Sequence, residues 1–378
     1  MVCSVSFVPD IPAGGELRRP FQGIRNLGMG NVGVAMSHDE NALFYNPAGL
    51  AAVDTTIVSI PFVNELSNDT TTILRDVQGL DSDSKNSDYI ELATGRQIHY
   101  RLMTALNVII PFGSLITFGA AGGLETSIDL SANNPVAINL TVGSRIDQIY
   151  NVGAGFSLGR GRWLLGFNVE KYRRCDVPNT TLSLGALLDN STTISTCDTS
   201  KLRDGQTYGF GFQNRMSSFS TLRLVWGMSV RNIGGLKFKR NDNETNPVDQ
   251  KAEYNIGIAM TPFEGMLLRN IYEINIRDLT FEHSDDTFCQ KNKNSSDCNM
   301  KRLHIGTEFG FWPIDSGASA LAIRLGWNQG YISTGLEINP LIFFRGLSIQ
   351  YADYKVETGK SAGDKPERRK TLQVNLGF

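Results

Sequence analysis

Leu303-His304-Ile305-Gly306-Thr307-Glu308-Phe309-Gly310-Phe311 puts Leu, Ile, Thr or Phe at every second position and His, Gly or Glu between them. That period places the first set on one face of an extended strand and the second set on the other. The same alternation runs through Leu321–Asn328, Ile332–Asn339, Tyr254–Met260, Leu222–Val230 and Trp163–Glu170. One face is large and apolar; the other is built from Gly, Ser, Asn, Arg and Glu. A soluble sandwich with its apolar faces inward would show this pattern. The runs, however, are about ten residues long, whereas soluble strands are usually about five or six. Ten residues suit a tilted strand that crosses a bilayer.

Fourteen such runs can be counted, at 55–63, 99–112, 115–129, 145–158, 162–174, 204–216, 220–232, 250–262, 267–282, 300–312, 318–328, 331–340, 346–356 and 369–378. Pro61 interrupts the first run, and a polar stretch follows it, Asn64 to Gln97, which reads as a loop with room for a short helix. Short turns near 111–114, 159–161, 217–220, 262–266, 313–317 and 341–346 alternate with polar loops near 131–144, 176–203, 234–250, 284–299 and 357–368. Short turns at one end and long loops at the other are the pattern of an outer-membrane barrel. The expected fold is therefore all-β: a 14-stranded antiparallel transmembrane β-barrel over 55–378, with an N-terminal hatch, 1–54, filling the lumen. The last run ends on Phe378, which resembles the signal read by the barrel-assembly machinery.

Composition agrees. Of 378 residues, 41% are apolar and 20% charged, which excludes a disordered chain. A net charge of -2 gives no electrostatic reason to bind nucleic acid. No uninterrupted apolar run reaches the ~18 residues of a membrane helix. The first residues, Met1 to Pro9, have neither a charged start nor an apolar core, so no leader is visible.

Cys175 and Cys197 bracket one polar segment, and Cys289 and Cys298 another. Loop disulfides, free thiols and a metal site are the three readings. No CxxC or suitably spaced His supports a metal. Disulfides need an oxidising compartment and so favour an exported protein whose leader is absent from this chain. Cys3 is given no role.

Residues 1–54 do not alternate. They contain Gly28, Gly30 and Gly33 in a formal GxGxxG, but without the βαβ unit that a dinucleotide site requires. The stretch from Gly28 to Ala51, GMGNVGVAMSHDENALFYNPAGLA, resembles the N-terminal segment of FadL-type outer-membrane transporters and their PorV-like relatives. Asn46, Pro47 and Ala48 match the Asn-Pro-Ala of that family. The resemblance implies an N-terminal hatch that gates a 14-stranded channel for long-chain fatty acids or other hydrophobic molecules. It also implies an outer-membrane location in a diderm bacterium. A protein-binding platform without lipid transport is the alternative.

On this reading Gly28, Gly30, Gly33, Asn46, Pro47 and Ala48 form the gate. Leu43, Phe44, Tyr45 and Leu50 either line an apolar pocket or simply pack against the wall. Lumen-facing Arg223, Arg231, Glu253, Glu273, Arg277, Arg302, Glu308, Arg324 and Glu337 come in both signs and suit internal ion pairs. The four histidines, His38, His99, His283 and His304, are scattered, and no GxSxG elbow occurs. Neither catalysis, a metal nor a cofactor is expected. The expected partners are a hydrophobic ligand, long-chain fatty acid first, and membrane lipid; nucleic acid is not one, and the chain is expected to be monomeric.

Overall fold

The computed structural model describes residues 19–78, 95–133, 139–183, 197–216, 222–241, 246–283, 286–314, 318–340, 346–358 and 365–377. Cys3 and Phe378 lie outside these residues. Fourteen strands close into one antiparallel barrel: β1 Ile57–Ser67, β2 Gln97–Phe112, β3 Ile116–Asn133, β4 Asn139–Leu158, β5 Trp163–Ser183, β6 Arg203–Arg215, β7 Val225–Phe238, β8 Glu253–Glu264, β9 Leu268–Ile276, β10 Leu303–Pro313, β11 Ser319–Asn328, β12 Tyr331–Ile338, β13 Leu347–Glu357 and β14 Pro366–Gly377. Each strand pairs with its sequence neighbours, and β1 closes on β14 from Ser59↔Gly377 to Ser67↔Arg369.

The period-2 pattern is sorted with its apolar face outward. Leu102, Leu106, Ile110, Phe118, Phe167, Ile256, Ile258, Ile305, Ile323, Leu325, Leu336 and Leu372 are all exposed large apolar residues on strands. Water would penalise such a belt, and lipid removes the penalty. Their neighbours in sequence point inward and are polar or small: Arg101, Asn107, Asn168, Ser229, Asn255, Glu308, Arg324 and Gln373 are buried. The chain is thus a transmembrane barrel with a polar interior.

Strand positions follow the sequence pattern closely, and the differences have local causes. The ladder carries β3 to Asn133 and resumes at Asn139, so most of the stretch expected as a loop near 131–144 is strand. β5 likewise runs on to Ser183. β9 stops at Ile276 rather than 282 because Asp278, at φ 50, accepts the backbone N–H groups of Glu282 and His283 and turns the chain. β10 begins at Leu303 because Ser296–Arg302 is helical, with the Ser295 hydroxyl accepting from Asp297 N. Pro61 does not break β1. It sits opposite Asn375 of β14, and the pairing with β2 skips Ile60 and Pro61, which suits a residue with no N–H to offer.

The long connections lie at the end where β1 finishes, although Gln329-Gly330 makes a two-residue turn there. Helix Asn68–Gln78 occupies the start of the first long connection. Both cysteine pairs are disulfides at this end, with Cα separations of 5.7 Å for Cys175–Cys197 and 5.5 Å for Cys289–Cys298. Beside the second, Lys301 is fully buried 3.8 Å from Asp286, and burial lowers its ammonium pKa against that carboxylate.

The closing seam is held by one carboxylate. Glu65 of β1 is fully buried and accepts from Arg101 Nη2 at 2.6 Å, Tyr354 Oη at 2.7 Å and Thr371 Oγ1 at 2.6 Å, with His99 Nε2 at 3.0 Å. Those partners sit on β2, β13 and β14, so a single side chain ties four strands across the join. Removing one member of a buried charged set typically costs about 3–5 kcal/mol, because the others stay desolvated. Glu65→Ala is therefore expected to lower the temperature at which the folded barrel loses its fast gel migration. Phe62→Leu, one turn of the pleat away on the exposed face, should leave that temperature nearly unchanged.

Candidate functional site: a plug seated on glycine

From Arg19 onward, the described chain before β1 lies inside the barrel. Its described part contains helix Ile24–Gly28, helix Ala42–Tyr45 and a 3₁₀ segment Pro47–Ala52. Nearly every residue from Arg19 to Leu50 is buried. A 14-strand barrel is wider than its own side chains can fill, since about eight strands already give an interior just wide enough for packing. The plug supplies the missing volume.

What lets it fit is a lining of glycine. A Cβ on Gly166 would stand 2.1 Å from the Pro47 carbonyl carbon, and one on Gly211 would stand 2.0 Å from Asn46 Oδ1. A Cβ on Gly227 would stand 2.5 Å from the Val34 carbonyl oxygen, one on Gly306 2.1 Å from that of Met29, and one on Gly326 2.0 Å from the Gly30 nitrogen. The plug backbone thus lies directly on the wall backbone. From its own side, Gly30 has φ 70 and room for no side chain, since a Cβ would meet Ile305 O at 2.3 Å. Gly28 is packed against the Cα of Gly335.

The Asn-Pro-Ala stretch is the firmest seat. Asn46 is fully buried. Its Oδ1 accepts from Ala48 N at 3.1 Å, capping the 3₁₀ segment that Pro47 starts. Its Nδ2 donates to Val34 O at 2.6 Å and also reaches Phe212 O and Met228 O, both at 3.3 Å. Phe212 and Met228 are register partners on β6 and β7. One amide therefore joins two arms of the plug to two wall strands. Opposite it, Glu273 of β9 accepts three backbone N–H groups, from Gly33 at 3.2 Å, Ala35 at 2.8 Å and Met36 at 3.4 Å.

Charge provides the remaining anchors. Arg25 grips Glu308 with Nε at 2.8 Å and Nη2 at 3.0 Å, and donates to Asp39 at 2.7 Å. Glu308 also accepts from Arg324 Nε at 2.7 Å, and Arg324 pairs with Glu337. Arg19 donates to Glu253 at 2.8 Å. Most of the inward charges expected from sequence are accordingly in ion pairs; Arg277 instead lies 4.7 Å over the Tyr45 ring. Arg223 departs from this: it is half-exposed at the turn-side rim, paired with Glu264. His304 Nδ1 donates to the Gly30 carbonyl, 2.8 Å away, and so seats the plug. Among the described residues no group of His, Cys, Asp or Glu could hold a metal.

Leu43, Phe44, Tyr45 and Leu50 are all buried in one apolar cluster. Phe44 stacks on Phe21 at 5.4 Å, the Tyr45 hydroxyl donates to Asn31, and Leu43 and Leu50 press on Gly119. The sizeable cavity among the described residues lies elsewhere. It measures about 620 Å³ at the short-turn end, and from the plug it takes Ala35, Met36, His38 and Ala52. Two smaller cavities near Arg19, of about 10 and 30 Å³, are water-sized. Glu273, expected as an inward charge suited to an ion pair, instead cradles plug backbone; Arg25 carries no motif, and neither does the glycine lining. The signal for the lining was present in the inward phase of the strands, where Gly recurs in place of Ser or Asn.

No family model matches the chain, and no curated protein matches it. Solved structures do match. The Ralstonia pickettii toluene transporter TbuX superposes with a TM-score of 0.54 at 11% identity, over 94% of this chain and 98% of that one. A Pseudomonas aeruginosa FadL homologue gives 0.53 at 10% identity, over 97% and 99%. The P. putida toluene transporter TodX gives 0.52 at 11%, over 94% and 96%. The chain therefore has the fold of the FadL-type channels over 94–97% of its length.

The glycine seat makes a direct prediction. Gly166→Ala puts a methyl into the Pro47 backbone, so the plug is expected to shift and the barrel to conduct ions in a planar bilayer where the native protein does not. Gly122→Ala, whose new methyl would meet only ordinary contacts such as Tyr150 at 3.6 Å, should stay closed.

Proposed function

We propose that the chain is an outer-membrane channel for uptake of hydrophobic small molecules, with residues 1–54 as its hatch and gate. The observation that carries the reading is the plug itself. It fills the lumen, contacts the wall through backbone, amide and a few ion pairs, and borders a cavity large enough for a small ligand, within the ~300–1,000 Å³ usual for such sites. Solved structures of the same fold include proteins described as toluene and monoaromatic hydrocarbon transporters. Long-chain fatty acids and monoaromatic hydrocarbons are the substrate classes in view. Gly28, Gly30 and Gly33 together with Asn46, Pro47 and Ala48 are the proposed moving part. Leu43, Phe44, Tyr45 and Leu50 are the apolar surface a ligand would meet once that part moves.

A second reading keeps support from one observation. Among the described residues, two cavities on the long-loop side hold at most a water or two, which suits a sealed platform that binds other proteins. Locking the plug separates the two. Arg25→Cys with Glu308→Cys, in a Cys3→Ser background, would be bridged by a short bifunctional thiol reagent. Uptake of labelled fatty acid or toluene into vesicles is expected to proceed in the unbridged protein and stop on bridging. Equal uptake with and without the bridge overturns the gate. No uptake by the native protein overturns the channel and leaves the platform.

A further inference from the structure

The short-turn end of the barrel carries a vestibule of about 620 Å³. Its lining is unusually basic. Arg160, Arg162, Arg215, Arg223 and Arg269 all contribute, from the β4–β5 turn, the end of β6, the approach to β7 and the start of β9. The carboxylate in the lining is Glu264, and it pairs with Arg223. Asp54 acts on Arg215 from nearby. Arg269 is buried 3.9 Å from Glu308, a carboxylate already shared by Arg25 and Arg324. Five arginines thus line one cavity against a smaller acidic complement, with the Arg162 guanidinium at its edge, 5.6 Å over the Trp163 ring. A concave, low-dielectric wall concentrates such a potential.

The remaining wall is apolar. Val225 and Ile271 are buried, and Leu224 and Met36 are partly so. The basic groups are sorted by depth: Arg160, Arg162, Arg215 and Arg223 are exposed at the rim, whereas Val225 and Ile271 are buried, Ile271 in a cluster with Met29, Val32 and Met36 of the plug. A neutral hydrocarbon has no use for the arginines, and a small hydrophilic anion has none for the apolar wall. Guanidinium is also the side chain whose planar fork best matches a carboxylate or phosphate.

We propose that this vestibule binds a single-chain amphiphilic anion, with its carboxylate or phosphate head on the rim arginines Arg160, Arg162 and Arg215 and its chain against Met36, Leu224, Val225 and Ile271. The head group has two sources, a free fatty acid or a lysophospholipid. Because Met36 belongs to the plug and its N–H, with that of Ala35, is held by Glu273, the bound chain lies on the segment that must move for the lumen to open. The proposal deepens the channel reading and relies on it for the ligand's route, but the binding itself does not depend on transport.

The test uses the full-length barrel in a neutral maltoside detergent. Palmitate, lysophosphatidylglycerol and hexadecanol are titrated separately, with binding read by native mass spectrometry. The comparison is a variant with Arg160→Glu, Arg162→Glu and Arg215→Glu. These three residues are exposed, and heat-dependent gel migration checks that the variant is folded. Arg160→Ala with Arg162→Ala and Arg215→Ala serves if the reversal fails that check. At least one charged probe is expected to bind the native protein one to one and to weaken by roughly tenfold or more in the variant, the scale of a lost charge-assisted hydrogen bond. Palmitate alone identifies a free acid, and lysophosphatidylglycerol alone identifies a lipid. Hexadecanol binding as tightly as the charged probes, or native affinity in the variant, overturns the proposal. Charge-dependent binding without vesicle uptake overturns the channel instead and leaves this site standing. Uptake with charge-independent binding does the reverse.

Discussion

The volume inside a fourteen-strand cylinder is the constraint from which the rest follows. Side chains on the wall cannot reach the axis, and hydrophobic cohesion cannot collapse a closed sheet whose circumference is fixed by its hydrogen bonds. Something must occupy the centre. Here it is the chain's own beginning, and the wall is thinned to receive it. Where most barrels of this size line their interior with water and polar side chains, this one replaces them with glycine at the plug contacts, so that peptide meets peptide. The arrangement resembles the close backbone approach of small residues between membrane helices more than ordinary side-chain packing. Its cost is specificity of shape: the seat tolerates almost no added atoms at Gly166, Gly211, Gly306 or Gly326.

Polar chemistry then fixes orientation. The interior buries carboxylates and guanidiniums that would be expensive alone, and most are found in pairs or in shared sets around Glu65 and Glu308. Buried ion pairs contribute little net stability compared with apolar groups of the same size. Their contribution here is geometric. Glu65 can be satisfied only when β1, β2, β13 and β14 are in register, and Arg25 can satisfy Glu308 only when the first plug helix is seated. A slip of one residue would turn every inward charge toward lipid, so the wrong registers are penalised far more than the right one is rewarded.

Much of this was legible in the sequence, for a physical reason. A membrane strand is sorted by two solvents at once, lipid on one side and lumen on the other, so its alternation is sharp over Leu303–Phe311 or Leu321–Asn328. Strand number and order follow from that signal. It fades toward the ends of the longest strands: β3, β4 and β5 continue on their hydrogen-bonded ladders beyond the runs that the alternation marks. The plug was legible as a break in the pattern, and the Asn46-Pro47-Ala48 stretch as a resemblance, but the partner of each plug residue was not. Contacts such as Asn46 with Phe212 and Met228 join positions far apart in the chain, and no local period encodes them. Glu273, which gathers three backbone N–H groups, looks in sequence like any other inward charge. The arginine vestibule was equally hidden, because its members come one or two at a time from separate turns.

The position of the plug in the chain has a consequence for assembly. It immediately precedes β1, and β1 forms the join with β14, the described strand most distant from it in sequence. The cylinder can therefore close only around a plug that is already within the curve of the sheet; threading it afterwards would drag bulky, charged Arg25 and Asp39 past a sealed wall. Closure and plug docking become a single late event. The plug and β14, at opposite ends of the described residues, have to meet in the same step that makes the barrel watertight.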